Sequence, residues 1–133
     1  MKFAHIAIVI SFTFSISMKS NVTQEKDLIK VKIKSVENPS DLFSDMDRLL
    51  NNYLEEHCIA DVTEIKINEA LSREINKLFD KHRSTRRSLI FITKIEDLSY
   101  FDEHAPVVPT EQEARDFLEM EEIERKLLDS EEE

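Results

Sequence analysis

Glycine is absent from this sequence of 133 residues, which also has one cysteine, three prolines and no tryptophan. Glycine adopts a positive φ at little cost and lets a backbone wrap closely around a phosphate. A phosphate-binding loop of the GxxxxGK type is therefore excluded. An EF-hand calcium loop is excluded as well, because its sharp turn requires glycine. We accordingly predict no cofactor.

Cysteine occurs once, at Cys58. An intramolecular disulfide is therefore excluded, and a hydrophobic core must stabilise the fold. In an oxidising compartment a lone cysteine is either buried or bonded to another chain. Because Cys58 stands at the end of an apolar helical pattern, we expect a buried free thiol, with a homodimer through Cys58 as the less favoured alternative.

His57 has no zinc-type spacing to His82 or His104, so no metal site is predicted.

Basic side chains are in deficit, with 18 Lys and Arg against 28 Asp and Glu and a net charge of −10. Neutralising the phosphates of a nucleic acid requires a basic face, so we predict no nucleic-acid partner. Acidic pairs such as Asp45 and Asp47 are interpreted as surface charges and not as acid–base pairs. No catalytic residue is predicted, and we do not expect an enzyme.

Charge is nearly absent from the first eighteen residues, where Lys2 is the only Lys, Arg, Asp or Glu. The apolar stretch from Phe3 to Ile16 is shorter than the roughly 20 residues that a membrane-spanning helix needs. Small residues at Ser15 and Ser17 suit cleavage. The pattern predicts a secretory signal over 1–17 and a secreted or endoplasmic reticulum lumenal protein, with no membrane association after signal removal. An uncleaved short anchor is the alternative.

The rest of the chain divides by composition. Residues 18–27 are expected to form a flexible segment that carries a glycosylation sequon at Asn21. Residues 28–101 form the predicted domain, and 102–110 form a linker marked by prolines. Residues 111–133 form an acidic helical tail.

Three segments carry strand patterns. Apolar residues alternate with lysines over 28–36, and β-branched residues alternate with charged ones over 62–67. The apolar run over 88–95 has the length expected of a buried central strand. We predict a strand in each segment.

Two amphipathic helices separate these strands. Apolar residues at three- and four-residue steps predict one helix over about 41–57 with Ser40 as its N-cap. A second helix is predicted from the N-cap Asn68 to near Lys81. The order β-α-β-α-β predicts a small α/β domain of two or three layers on a short parallel sheet. Such a small sheet is expected to need an edge strand, a partner subunit or a larger neighbour to complete its core.

The acidic tail begins with a capping box, in which Thr110 accepts from the backbone and Glu113 reaches back. Over 111–133 the tail has eleven acidic and three basic side chains. Its apolar positions form a stripe: Ala114, Phe117, Leu118, Met120, Ile123, Leu127 and Leu128. We expect this helix to dock weakly on the domain or to serve as a partner-binding arm, with Ser130–Glu133 disordered.

The arrangement over roughly 28–101 resembles the opening half of a P-loop ATPase of the AAA type. Ser35–Asp41 occupies the place of the phosphate loop between the strand 28–36 and the helix 41–57. The strand after Arg87, Ser88-Leu89-Ile90-Phe91-Ile92, is similar to a Walker B strand, and it is the part most reminiscent of torsins. The resemblance implies a degenerate AAA-like lumenal domain of the torsin or torsin-activator type.

This resemblance does not extend to ATP hydrolysis. Residues 35–40 lack both glycines and the lysine of a phosphate loop, and Thr93-Lys94 replace the acidic pair of a Walker B strand. A torsin activator also needs a finger-like arginine, for which Arg83, Arg86 and Arg87 are the clustered candidates. No catalytic role is assigned to them.

The same basic stretch, Arg83-Ser84-Thr85-Arg86-Arg87, resembles a processing site for a convertase. Cleavage there would release a fragment from about residue 87 or 88 to 133. The other interpretation is a solvated helix terminus, where cations suit the negative end of the helix.

The function that we expect from the sequence is that of a non-catalytic secreted or lumenal protein that acts by binding another protein. One alternative is a secreted precursor processed near Arg83–Arg87. A second is a degenerate AAA-like cofactor in the endoplasmic reticulum lumen. A third is an enzyme whose site forms from dispersed residues such as His57, Cys58 and Asp61.

Overall fold

Residues 10–12 and 18–131 are described by the structure, a computed structural model, with side chains described over 18–131. The strands of this part are β1 (Ile10–Phe12), β2 (Met18–Glu25), β3 (Leu28–Val36), β4 (His57–Asp61), β5 (Leu89–Ile92) and β6 (Val107–Val108). The α-helices of this part are α1 (Pro39–Asn51), α2 (Glu69–His82) and α3 (Glu111–Glu131). A short 3₁₀ helix, Ile95–Tyr100, precedes β6.

The strands lie side by side in chain order from β1 to β6. β1, β2 and β3 pair antiparallel, whereas β3 to β6 pair parallel. The connections β3-α1-β4 and β4-α2-β5 step in the same direction along the sheet. Right-handed crossovers of this kind leave their helices on one face of the sheet, and on that face α1 packs against α2. α3 contacts β5 and β6, and it covers the opposite face. The predicted α/β fold is confirmed: β3-α1-β4-α2-β5 is the predicted alternation, in a three-layer domain.

Residues 18–25 form β2 and are not the flexible segment that the sequence suggested. β2 pairs with β3 along its whole length, and Met18, Ser20 and Val22 are buried on its inner side. Short polar side chains weaken the alternation in the sequence, whereas the cross-strand partners in β3 stabilise the strand. β2 and β1 thereby extend the small sheet that the sequence predicted to be incomplete.

α1 begins and ends earlier than predicted, at Pro39 and Asn51. The N-cap is Asn38 and not Ser40, because the side-chain oxygen Oδ1 of Asn38 accepts from the Ser40 backbone N–H at 3.4 Å. Proline suits the first helical turn, where its missing N–H would have no partner. The helix ends at the pair Asn51-Asn52, so the predicted extension to residue 57 is wrong.

β4 covers His57–Asp61 and not the predicted segment 62–67. Its three middle residues are at most 1 % exposed, because β4 lies between β3 and β5. A central strand buried on both faces does not show the apolar–polar alternation on which the prediction depended. The following residues turn away from the sheet, with the Thr63 N–H and hydroxyl both donating to the Asp61 carboxylate at 2.8 and 2.7 Å.

The last strands also differ from the prediction. β5 is shorter than the predicted 88–95, because the chain enters the 3₁₀ helix at Ile95. The predicted linker 102–110 contains β6, whose Val107 and Val108 pair with β5. α2 follows its prediction closely, and its predicted N-cap is confirmed. The Asn68 side chain accepts from the Leu71 N–H at 2.8 Å.

Two hydrophobic clusters lie on the two faces of the sheet. The larger one fills the space under α1 and α2, and it includes Leu42, Met46, Ile75, Leu78, Ile33, Val31 and Phe91. The smaller one lies under α3 and is formed by Leu28, Ile59, Ile90, Ile92 and Ala114. The uneven size of the clusters means that α1 and α2 are held mainly by apolar packing, whereas α3 has less of it.

The predicted signal, residues 1–17, lies outside the described residues except for Ile10–Phe12, which form β1. Ile10 and Phe12 pair with Val22 and Ser20 of β2. Among the described residues, none of the helices has the length and apolar character needed to cross a membrane.

Candidate functional site

The first half of α3 docks on the sheet by apolar contacts. Ala114 is fully buried, and Phe117 and Leu118 are partly buried against the smaller cluster. These residues lie at positions i, i+3 and i+4 of the helix and therefore share one face. The predicted docking of the acidic tail is thus made by this half of the helix.

Ion pairs fasten the same half to the antiparallel strands. The Arg115 guanidinium donates to the Glu25 carboxylate at 2.9 Å, and Lys30 Nζ lies 3.1 Å from Glu111. Arg115 also donates to Glu111, so the four side chains form one network. Hydrogen bonds with Glu25 and Glu111 raise the pKa of Arg115, which keeps this pairing in its charged form.

The second half of α3 is held by polar contacts. Arg125 donates to the Ser88 hydroxyl at 3.1 Å, and Arg86 donates to Asp129 at 2.7 Å. His57 Nε2 lies 3.5 Å from a Glu122 oxygen. These contacts orient the helix but bury little apolar surface. The helix continues to Glu131, so Ser130 and Glu131 are helical and not disordered as predicted, while 132–133 lie outside the described residues.

The outward side of this half carries an apolar line that we call the outer stripe, formed by Met120, Ile123 and Leu127. Their spacing of three and four residues places them on one side of the helix. They are between 53 and 61 % exposed. The apolar stripes of α1 and α2, in contrast, are buried in the core. The outer stripe is therefore an apolar helical face that nothing in the described part of the chain covers.

Acidic side chains border the outer stripe. Glu113, Asp116, Glu119 and Glu124 are exposed on α3. Two of the three cations of α3 point into the domain, since Arg115 and Arg125 make the contacts described above. Lys126 is thus the one exposed cation among residues 111–131. Chemically, this face combines an apolar centre with a negative rim.

Cys58, the predicted free thiol, is 1 % exposed in the middle of the sheet. Burial raises the pKa of Cys58 to about 12, so the thiol stays protonated at neutral pH. A disulfide to a second chain would require the sheet to open around β4. The thiolate is the reactive form of cysteine, so this position is chemically inert in the folded protein.

Asn21, the predicted glycosylation residue, lies in β2 on the face of the sheet away from α1 and α2. Its side chain is partly exposed. When the side-chain amide is oriented so that both its oxygen and its nitrogen have hydrogen-bond partners, the oxygen accepts from Lys34 Nζ at 3.2 Å. A glycan on this residue would lie beside α3, over the part of the sheet that carries Lys30 and Lys32.

The basic stretch forms the turn between α2 and β5. Arg83 pairs with Asp80 at 3.2 Å and Arg86 with Asp129 at 2.7 Å. Arg87 is less exposed than the other two, and its guanidinium donates to the Tyr53 carbonyl oxygen at 2.9 Å. The three arginines are therefore tied to three different parts of the fold: α2, α3 and the loop between α1 and β4.

The dispersed residues of the enzyme hypothesis are not brought together. His57 and Cys58 are adjacent in β4, and neighbouring strand residues point to opposite faces of a sheet. Asp61 is at the other end of the strand, about 13 Å along its axis. Within the described residues no group of three His, Cys, Asp or Glu side chains is placed to hold a metal ion.

Sequence reasoning missed the contacts of Arg125 and the division of the α3 stripe into two faces. The apolar positions of α3 spread over more than half of the helix circumference, which was a signal that they could not all face one surface. Arg125 carried no such signal, since its partner Ser88 lies 37 residues earlier in the chain.

No protein-family model, curated protein or solved structure matches this chain.

Proposed function

We propose that this protein is a non-catalytic binding protein that holds an amphipathic, basic helix of another protein against α3. The single observation that carries the proposal is the outer stripe, three exposed apolar side chains in line with a rim of carboxylates. Positions 120, 123 and 127 have the spacing of a coiled-coil seam, into which a partner helix packs its own apolar side chains. Lysines or arginines beside that partner's seam would pair with the acidic rim.

A partner of different sequence fits this surface better than a second copy of the chain. Two outer stripes packed together would bring both acidic rims into contact, and like charges in an interface cost free energy. The net charge of −10 adds a repulsion that acts over the whole molecule. We therefore expect the free protein to be monomeric.

The proposed compartment is the secretory pathway, either outside the cell or in the endoplasmic reticulum lumen. Its support is the composition of residues 1–17, an apolar segment of signal type with small residues at its end. The alternative of a precursor cleaved in the basic stretch has less support. Cleavage after Arg87 would separate β5 from β4, its partner in the centre of the sheet.

The test uses the full chain and a synthetic helical peptide with leucines at heptad spacing and lysines beside them. We expect binding with a Kd on the order of 10 µM, because the seam is short. Replacing Ile123 and Leu127 together by Glu should weaken binding at least about tenfold, since each loses roughly 1.5–3 kcal/mol of apolar burial. Isothermal titration calorimetry and amide NMR shifts over residues 116–128 measure this.

The matched control is Ile95→Ser, because Ile95 is an exposed apolar residue outside α3. This variant should bind the peptide as the unchanged protein does. A second control replaces the peptide lysines by glutamates, which should abolish binding. Equal affinity for the Ile123/Leu127 variant, or for the acidic peptide, would contradict the proposal.

A further inference from the structure

A cavity of about 320 Å³ lies between the end of α2, the turn that leads to β5 and the inner side of α3. Three arginines line it, Arg83, Arg87 and Arg125, against one carboxylate, Glu121. The local excess of cations is opposite in sign to the net charge of −10. Cations collected in a concave site raise the local concentration of anions. We call this space the basic cavity.

Two of these arginines retain most of their hydrogen-bonding capacity. Arg87 donates to the Tyr53 carbonyl oxygen, and Arg125 donates to the Ser88 hydroxyl. Neither forms an ion pair with a carboxylate in the part of the chain that the structure describes, whereas Arg83 pairs with Asp80. A guanidinium has five N–H donors, and those not used here suit the oxygens of an anion.

A buried histidine supplies the second observation. His82 lines the basic cavity and is 8 % exposed. Its Nε2 atom is buried and has no hydrogen-bond partner within residues 18–131. Leaving a buried polar atom unpaired costs free energy, which a ligand oxygen at hydrogen-bond distance would recover.

The carboxyl end of α2 would by itself repel an anion, because the last carbonyl groups of a helix carry partial negative charge. Here three of the last four carbonyl groups of α2 are already paired within the turn. The Phe79 carbonyl accepts from the Arg83 N–H, and the His82 carbonyl accepts from the N–H and hydroxyl of Thr85. The Lys81 carbonyl accepts from the Ser84 hydroxyl. The arginine side chains therefore decide the sign of the cavity.

We propose that the basic cavity binds a small oxyanion of the phosphate type, either free phosphate or a phosphomonoester. Arg87 and Arg125 balance its charge, and the ring of His82 and the hydroxyl of Ser88 contact its oxygens. Ligand sites usually have volumes of roughly 300–1,000 Å³, so this cavity accepts a phosphoryl group with a small organic part. The outer stripe faces away from this side of α3, so the site is separate from the proposed partner surface.

Binding has a consequence for His82. Burial, with Arg87 and His57 nearby, lowers the pKa of His82 to about 4, so the ring is neutral at pH 7 in the free protein. A bound anion favours the protonated ring and raises that pKa. The ring protons of His82 are thus a direct reporter of occupancy.

The experiment titrates the full chain with inorganic phosphate and, separately, with O-phosphoserine, against sodium chloride at the same ionic strength. We expect saturable NMR shifts of the His82 ring and of the Ser88 and Arg125 amides with the phosphate compounds and not with chloride. Tighter binding of O-phosphoserine would identify an ester as the preferred form, and tighter binding of inorganic phosphate would identify the free ion. Either result supports the proposal.

Substitutions locate the site. Arg125→Gln and Arg87→Gln should each weaken phosphate binding about 10- to 100-fold, the effect of losing a charge-assisted hydrogen bond. The matched control is Arg73→Gln on the exposed side of α2, which should change the affinity by less than about twofold. Arg125→Gln is the safer variant for folding, since it loses a bond to a hydroxyl and leaves the Arg87–Tyr53 contact intact.

The proposal is overturned if phosphate produces no saturable shift beyond that of chloride in the unchanged protein, a result that requires no variant to fold. It is equally overturned if phosphate binds with the same affinity after Arg125→Gln in a variant whose circular dichroism spectrum is unchanged.

Discussion

Asp27 shows how a chain without glycine makes a tight turn. It connects β2 to β3 with a φ of 60°, the one positive φ among the described residues. Glycine would adopt this conformation without a Cβ clash, whereas for other residues the conformation costs on the order of 1 kcal/mol of free energy. Aspartate tolerates the left-handed region better than most residues because its short side chain bonds locally. The eight cross-strand pairs between β2 and β3 offset the remaining cost.

Cys58 provides a pH-dependent test of burial. The unfolded thiol ionises near pH 9.0, and burial raises the pKa in the folded state to about 12. Because the folded pKa is the higher one, this contribution to stability is complete below pH 9 and is lost as the pH rises toward 12. The free energy of unfolding should fall by about 1.4 kcal/mol per pH unit in this window, relative to Cys58→Ala.

Urea denaturation of both proteins between pH 8 and pH 11.5 measures this difference. The other ionisable groups are common to both proteins, so their effects cancel in the comparison. Parallel stability curves for the two proteins would show that the thiol is ionised in the folded state and would contradict the assigned burial.

At the scale of the element, α3 begins with the predicted capping box. The Thr110 hydroxyl oxygen accepts from the Glu113 backbone N–H at 3.1 Å, and the hydroxyl donates to the Glu113 carboxylate at 3.0 Å. The backbone half of the motif is therefore confirmed. The Glu113 side chain meets the hydroxyl of Thr110 and not its backbone N–H.

Thr110→Ala should lower the free energy of unfolding by about 1 kcal/mol and speed hydrogen exchange in the first turn of α3, because a helix N–H loses its acceptor. Thr110→Ser retains the oxygen and should restore most of the stability. Ser130→Ala, at the exposed opposite end of α3, is the control. A loss as large for Ser130→Ala as for Thr110→Ala would argue against the cap.

The two halves of α3 show how one helix can serve two surfaces. Its first half buries Ala114 and packs Phe117 and Leu118 on the sheet, while its second half presents the outer stripe. A helix held by a few polar contacts in its second half can keep an apolar side exposed without losing its position. This division suits a helix that must bind another protein and remain attached to its own domain.

For the whole molecule, the predicted signal and the sheet are connected through β1. Cleavage after residue 17 would remove Ile10–Phe12 and leave β2 as the edge strand of the sheet. Lys19 on β2 is exposed, and lysines on an edge strand hinder pairing with other chains. The domain would keep β2 to β6 and both hydrophobic clusters.

Intact-mass spectrometry of the protein recovered from secreting cells tests this prediction. We expect a species that begins near Met18 and ends at Glu133, with a mass shift from a glycan on Asn21 that disappears on enzymatic glycan removal. A species that begins at Met1 would contradict signal removal. Fragments that end or begin at Arg86 or Arg87 would support the processed precursor instead.

The sequence by itself determined the features that depend on near neighbours. Helix periodicity, the cap at Asn68 and the capping box at Thr110 involve residues within about four positions, so they were readable from local spacing. The alternation of strands and helices followed from the same local patterns. It was sufficient for the α/β class, whereas the resemblance to AAA proteins stays a prediction. Cys58 is buried as expected, but it lies in the central strand β4 and not at the end of a helix, so the reason given for its burial was wrong.

The tertiary structure alone decided what depends on distant residues. β2 and β6 carry weak or very short strand patterns, and each is a strand because a neighbouring strand satisfies its backbone groups. β4 was misplaced because burial on both faces removes the alternation that marks a strand. The outer stripe and the basic cavity likewise became visible only after folding. The reason is physical: packing decides which side of α3 is covered, and it brings Arg125 to Ser88 across 37 residues of chain.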